Sequence, residues 1–305
     1  VSADSSPLFG AVEAGGTKFV CAVGDATGAL MEECRIDTGD PIGTLTQVVD
    51  YLTAAQARRG RLQAIGVGAF GPVDVRPDSA RFGCLLATPK AGWSQADLLA
   101  PLRRAFNLPL GLDTDVNAAA AGEWRWGAGQ GLDTVAYVTV GTGIGAGVLH
   151  HGRAVHGLLH PEIGHVHAIR HPADRDFAGV CPFHGDCFEG LISGPAIMAR
   201  TGRVLAEAPP VDPVWELAEE YLGQLSALLV LTHCPERIIF GGGVMQPRLL
   251  KAIGERMRAR LRGYPNLAEH QREQFIVLPG LGHRSGVKGA LALAVAAGAE
   301  HAPRD

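Results

Sequence analysis

Cys181-Pro182-Phe183-His184-Gly185-Asp186-Cys187 puts two thiols and an imidazole into one short loop, and His165 lies sixteen positions earlier. A Cys2His2 set of this kind suits tetrahedral zinc, and four protein ligands leave no open position for a bound water. The spacing therefore points to a structural metal rather than a hydrolytic one. His165 fits best as the fourth ligand, with His167 and His171 as rivals that spacing does not exclude. Glu162 and Glu189 flank the cluster, so a metal here would fix two carboxylates in space, as recognition of several hydroxyls requires.

A second chemical feature is the run Asp113-Thr114-Asp115-Val116-Asn117, which passes from an apolar stretch into an alanine-rich one. Asp115 could cap a helix there. It could equally act as a general base toward a substrate hydroxyl, since phosphoryl transfer needs mostly positioning plus one oriented carboxylate. Two glycine turns supply anion-binding chemistry. One is Glu13-Ala14-Gly15-Gly16-Thr17-Lys18 and the other Gly141-Thr142-Gly143-Ile144-Gly145. Their glycines let backbone N–H groups approach an anion, and together they could hold one polyphosphate from both sides. No G-x-x-x-x-G-K-[ST] run occurs, which excludes a P-loop. The second turn joins two strands with strictly alternating glycines, which argues against a dinucleotide fold. Gly241-Gly242-Gly243 follows an apolar run and offers a third exposed backbone, suited to a base and ribose.

The elements that must carry these residues follow from periodicity. Leu8 to Ala14 and Phe19 to Gly24 read as strands joined by Gly15-Gly16, with a third strand over Leu30 to Ile36. Asp40-Pro41 starts a helix and Gly60 ends it. Leu62 to Phe70 is a buried strand that breaks at Gly71-Pro72, followed by a helix from Ser94 to Phe106 and a strand over Pro109 to Leu112. The pattern then restarts with strands Thr134 to Val140 and Gly145 to His150. A long irregular stretch, His151 to Ser193, precedes helices at Pro195 to Gly202, Pro213 to His233 and Pro247 to Arg262. A strand Arg237 to Phe240 lies between the last two, and 286 to 299 form a final helix. A hairpin followed by alternating helices and strands thus occurs twice, which predicts two similar α/β lobes with a cleft between them.

Composition narrows the class. With 47% apolar and 19% charged residues in 305, the chain can build two cores and is not disordered. A net charge of −4 without a basic stripe leaves a nucleic-acid surface unsupported. Val1 to Pro7 does not read as a signal peptide, and no apolar run approaches the ~20 residues of a membrane span. Cys21, Cys34, Cys84 and Cys234 read as buried apolar residues, so the cysteines imply a reducing compartment rather than a disulfide framework.

In combination these segments are recognisable. EAGGTKF near the start, GAFGPVD at 68–74, DTDVNAAAAGE at 113–123 and VTVGTGIGAGV at 138–148 resemble the ROK family of sugar kinases and repressors. HPEIGH at 160–165, CPFHGDCFEGLISGPA at 181–196 and IIFGGGV at 238–244 do so too. Within the family the chain is most similar to bacterial ROK fructokinases, through Glu13 in place of an aspartate, TPKAGW at 88–93 and the wording of the cysteine loop. His184 there stands where the family usually has a cysteine.

The resemblance implies an α/β, two-lobed actin-like ATPase (ribonuclease H-like) fold with a zinc-containing loop. Its lobes would be residues 1–116, with the helix 286–301 packing back on them, and 117–285. Asp115 would be the catalytic base, and Gly71, Pro72, Thr114, Glu162, His165 and Glu189 would lie at the sugar. Thr114 stands where glucokinases have a sugar-binding asparagine, which weakens a glucose reading. Glu13, Gly15, Gly16, Thr17, Lys18, Gly141, Thr142 and Gly143 would hold ATP phosphates and Mg2+, with Gly241 to Gly243 at the adenosine. Zn2+ on His165, Cys181, His184 and Cys187 would be structural. The implied protein is a cytoplasmic, dimeric kinase of sugar and nucleotide that phosphorylates fructose, with mannose, glucose or an N-acetylated amino sugar as alternatives. A family repressor would carry a DNA-binding helical domain ahead of the first strand, where this sequence has only a handful of residues.

Overall fold

The computed structural model describes residues 6–203, 209, 212–265 and 267–301; the reading of residues 1–5 lies outside them. The chain divides into two compact units. The first comprises Val1–Gly127, His156–His160 and Arg284–Asp305, and the second Ala128–Val155 and Pro161–His283.

In the first unit, β1 (Leu8–Ala14), β2 (Lys18–Asp25) and β3 (Leu30–Asp37) form an antiparallel meander. β4 (Leu62–Ala69) and β5 (Leu110–Thr114) add to β1 in parallel, giving the order β3-β2-β1-β4-β5. β1 and β4 are apolar at nearly every position because both sheet faces are covered. On one face α1 (Pro41–Arg59) contributes Leu45, Val48 and Leu52 to the core, and on the other α8 (Ser285–Glu300) contributes Val287, Leu291 and Ala294. Asp40 caps α1 by accepting from Gly43 N at 2.9 Å, as its sequence predicts.

In the second unit, β6 (Thr134–Val140), β7 (Ile144–His150) and the short β8 (Arg153–Ala154) form an antiparallel meander. β9 (Arg237–Gly241) and β10 (Ile276–Val277) add in parallel beside β6, giving β10-β9-β6-β7-β8. This is the order of the first sheet, so the repeat read from the sequence is one of topology as well as pattern. α6 (Val214–His233) and α7 (Pro247–Leu261) supply Leu222, Leu225, Leu249 and Ile253 to its core.

Two elements and one burial reading differ from expectation. The helix expected from Ser94 is α2 (Ala100–Ala105). It starts late because Ser94 Oγ closes the TPKAGW loop on Thr88 O at 3.1 Å, and Asp97 Oδ1 accepts from Leu99 N and Ala100 N. α3 (Asp115–Trp126), expected with the second lobe, belongs to the first unit and packs on α8. A Cβ on Gly289 would lie 1.9 Å from Ala118 O, so the alanine-rich helix and the glycine permit backbone contact that larger residues would forbid. Of the four single cysteines only Cys21 is buried; Cys34 pairs with it across β2 and β3, and Cys234 is exposed at the C-cap of α6.

Candidate active site and metal-binding loop

The first unit gathers its candidate residues at the C-terminal ends of β1, β4 and β5, where parallel strands leave room for ligands. Ala14 pairs with Ala69, Ala69 with Thr114, and Phe70 N donates to Ala14 O at 2.8 Å. The register therefore brings the 13–18 turn, Gly71-Pro72 and Asp115 to one edge. The turn closes through Gly15 N to Lys18 O at 3.1 Å and is braced by Thr38, whose Oγ1 donates to Gly15 O at 2.8 Å.

Asp115 is the first residue of α3, and the cap role that competes for it in the sequence falls to Thr114. Thr114 is buried, and its Oγ1 accepts from Asn117 N at 3.2 Å. The Asp115 carboxylate accepts from Val116 N at 2.8 Å, and burial pushes its pKa up to about 6. Glu13 is pushed up to about 7 by burial and by the nearby Asp115 carboxylate, against the pull of Lys18. A Cβ on Gly286 would fall 2.4 Å from the Glu13 carboxyl, so the first turn of α8 sits directly against it. Two carboxyls that resist ionisation side by side form a site for a cation or for a proton in transit.

Beside them Asp113 and Asn117 of the same motif meet a histidine that no motif announces. Asp113, buried at the end of β5, accepts on one oxygen from Thr114 N at 2.7 Å, Asn117 Nδ2 at 2.7 Å and His156 Nε2 at 3.1 Å. His156 comes from the five-residue segment that belongs to the first unit although its sequence neighbours do not. The hydrogen bond to Asp113 raises the His156 pKa above the ordinary imidazole range. At the other end of the segment, buried His160 accepts from Val73 N at 3.2 Å, next to Gly71-Pro72. Asp74 follows, fully buried and held well below the usual carboxylate range by the Arg76 guanidinium.

In the second unit, the 141–145 turn closes through Gly141 N to Gly143 O at 2.9 Å, and Gly194 N donates to Gly141 O at 2.7 Å. Gly241 to Gly243 end β9, the parallel neighbour of β6, and Val244 N donates to Val140 O at 3.0 Å. The two turns are thus adjacent. Glu189, on α4 (Phe188–Ile192), accepts from Ile144 N at 3.0 Å, so its carboxylate braces the first of them.

The metal-ligating candidates converge. The ligand atoms of His165, Cys181, His184 and Cys187 all lie within 4.8 Å of one another. His165 Nδ1 is 3.6 Å from both sulfurs, and His184 Nδ1 is 3.7 Å from Cys181 Sγ. Tetrahedral zinc with Zn–S of ~2.3 Å and Zn–N of ~2.05 Å requires S···N edges of about 3.6 Å. The donor set therefore fits zinc in kind, and these three S···N separations fit it in dimension. The other nitrogen of His165, Nε2, is 4.0 Å from Glu162 Oε2. Both rivals are engaged elsewhere: His167 Nδ1 pairs with Asp186 at 3.1 Å, and His171 Nδ1 accepts from Ala173 N at 3.2 Å. Arg170 braces the loop from outside, donating to Asp186 at 3.0 Å and to the carbonyls of Asp174 and Phe177.

Among the described residues no helix is long and apolar enough to cross a membrane. A putative fructokinase of Bacillus subtilis is 44% identical over 290 residues, 94% of this chain and 95% of that protein. A fructokinase of Pediococcus pentosaceus is 42% identical over 291 residues, 95% of this chain and 98% of its own. The solved structure of a ROK family glucokinase from Streptomyces griseus, in complex with glucose and AMPPNP, matches with a TM-score of 0.71 at 28% identity. That match covers 94% of this chain and 99% of the other. The family model described as ROK family matches residues 9–297, and with these whole-length relatives it establishes that the chain belongs to the ROK family.

Proposed function

We propose that this chain is an ATP-dependent fructokinase of actin-like ATPase fold that phosphorylates the 6-hydroxyl of D-fructose. The observation that carries the chemistry is Asp115 at the head of α3, freed from capping by Thr114 and poised at a pKa of about 6. Asp115 takes the proton of the sugar hydroxyl as its oxygen bonds to the γ-phosphorus, and the β–γ bridging oxygen leaves with ADP. The turns at 13–18 and 141–145 bind the phosphates of Mg2+-ATP through backbone amides, Thr17, Lys18 and Thr142. Gly241, Gly242 and Gly243 receive the adenosine. In this reading the sugar-binding residues are Gly71, Pro72 and Thr114 of the first unit and Glu162, His165 and Glu189 of the second.

His165 serves two roles in this reading, with Nδ1 toward the sulfurs and Nε2 toward Glu162. A zinc ion on His165, Cys181, His184 and Cys187 would tie the 165–187 segment into one rigid loop. It takes no part in phosphoryl transfer. The substrate assignment rests on relatives named fructokinase that match along the whole chain. The protein acts in the cytoplasm, where ATP and free hexoses meet, and works as a homodimer.

A coupled ADP-release assay over fructose, glucose, mannose and N-acetylated amino sugars tests the proposal. Fructose is expected to give the highest kcat/KM. A higher value for another hexose would move the assignment to that sugar, and no ADP release with any would remove the kinase reading.

A further inference from the structure

We infer that His156 is a positioning residue of the transfer: hydrogen-bonded to Asp113 and flanked by Asn117, it fixes the corner that aims Asp115. The inference rests on Asp115 being the base. Asp113 and Asn117 stand on either side of Asp115, one ending β5 and the other in the first turn of α3. Three donors meet on one oxygen of Asp113: the Thr114 amide at 2.7 Å, the Asn117 side chain at 2.7 Å and His156 Nε2 at 3.1 Å. His156 Nε2 also lies 3.3 Å from Asn117 Nδ2. Two of these donors are local, within four residues of Asp113. His156 is the long-range one, 43 positions away, and it holds the corner from outside the β5–α3 connection.

A cation in this place strengthens the bond and offsets the charge of a carboxylate that is only 5% exposed. His156 itself is about one-third exposed and lines a cavity of ≈ 490 Å3 together with Arg76, Asp78, Ser79 and Leu159. The groups that face the imidazole are Asp113 from β5, Asn117 from α3, and Arg76 and Asp78 across the cavity, with His160 in its own segment. Arg76 is already spent on Asp74. Loss of the His156 bond would let Asp113 and the head of α3 relax, and displacement of a reacting group by ~1 Å costs roughly 100-fold in rate.

The test compares His156→Leu and His156→Gln in the full chain, with Asp115→Ala as control, by steady-state kinetics across pH. His156→Leu is expected to lower kcat by roughly 10- to 100-fold with sugar KM within about 3-fold of wild type. His156→Gln keeps an N–H donor for Asp113 and should recover kcat to within about 5-fold. It should also lose the decline on the alkaline side, because an amide does not titrate and the charge-assisted bond of the imidazolium weakens as pH rises through its raised pKa. Unchanged kcat in His156→Leu, a KM rise without a kcat fall, or a glutamine variant no better than leucine would each overturn the inference. If His156→Leu does not fold, the alkaline limb of His156→Gln decides: its persistence refutes the role. Turnover surviving in Asp115→Ala would instead sink the base assignment, whatever the His156 variants do.

Discussion

Replacing Asp115 with Asn removes the proposed base while keeping the side chain's size and its acceptor for Val116 N, so stability and chemistry can be read separately. Burial raises the Asp115 pKa from 3.8 to about 6. At ~1.36 kcal/mol per pKa unit, the ionised carboxylate costs the folded state about 3 kcal/mol at neutral pH. Partial exposure of the residue lets solvent screen some of this, which leaves about 1.5–3 kcal/mol. The sign follows from proton binding. Between pH 3.8 and 6 the folded chain holds this proton and the unfolded chain does not, so the wild type loses stability as pH rises through that window.

Asp115→Asn lacks the titration. Its melting temperature should match the wild type near pH 4 and exceed it by about 3–6 °C at pH 8, taking ~2 °C per kcal/mol for a chain of this size. In the same samples ADP release should fall by ~100- to 10,000-fold, the range for loss of a general base. The wild-type kcat/KM should rise through a pKa of about 6, ahead of the alkaline decline that deprotonation of His156 brings, and the residual activity of Asp115→Asn should show no such rise. Melting curves at several pH values and a coupled assay on the same preparations give both answers. A stability difference that does not change with pH would refute the burial argument, and turnover within tenfold of wild type would refute the base assignment.

Three further outcomes follow from the same geometry. Purified protein should carry one zinc per chain by elemental analysis, and a chelator should lower its melting temperature and release metal together, since ligation and folding are coupled; metal-free protein with unchanged melting would end the zinc reading. Arg170→Met should weaken zinc affinity by ~10- to 100-fold through loss of the Asp186 brace, read by competition with a chromophoric chelator; unaltered affinity would show that the loop holds itself. Gly289→Ala should destabilise by ~1–3 kcal/mol or prevent soluble expression, because its Cβ would overlap Ala118 O on α3; wild-type melting would mean that α3 and α8 have slack.

Most of the fold was legible because its signals are local. Asp40-Pro41 and Gly60 mark both ends of α1, and the glycine turns at 15–16 and 141–143 separate strand pairs whose periodicity needs no distant partner. The cluster of metal-ligating candidates was legible for the same reason, with three of its four residues in one loop. His165 already fits best in the sequence, and the structure adds that its rivals His167 and His171, of the same chemistry and similar spacing, are engaged elsewhere.

What stayed hidden depends on pairings across long stretches of chain. The restart of the strand pattern at Thr134 suggested a lobe boundary before α3, yet small residues at Ala118, Gly122 and Gly289 commit that helix to α8, which begins 159 positions after α3 ends. His156 looked like one residue of an irregular stretch, because nothing around it encodes a partner 43 positions earlier. Thr114 was read by its alignment with a sugar-binding asparagine, while its hydroxyl caps the helix. These three cases meet at one place, the junction of β5 and α3. A motif there names the proposed base and its buried neighbour Asp113, but the His156 imidazole and the helix α8 that pack at this junction are supplied by distant parts of the chain. The aim of the base is therefore a tertiary property, and substitutions at Asp113, His156 or Gly289 should reach the chemistry without touching a single motif residue that contacts substrate.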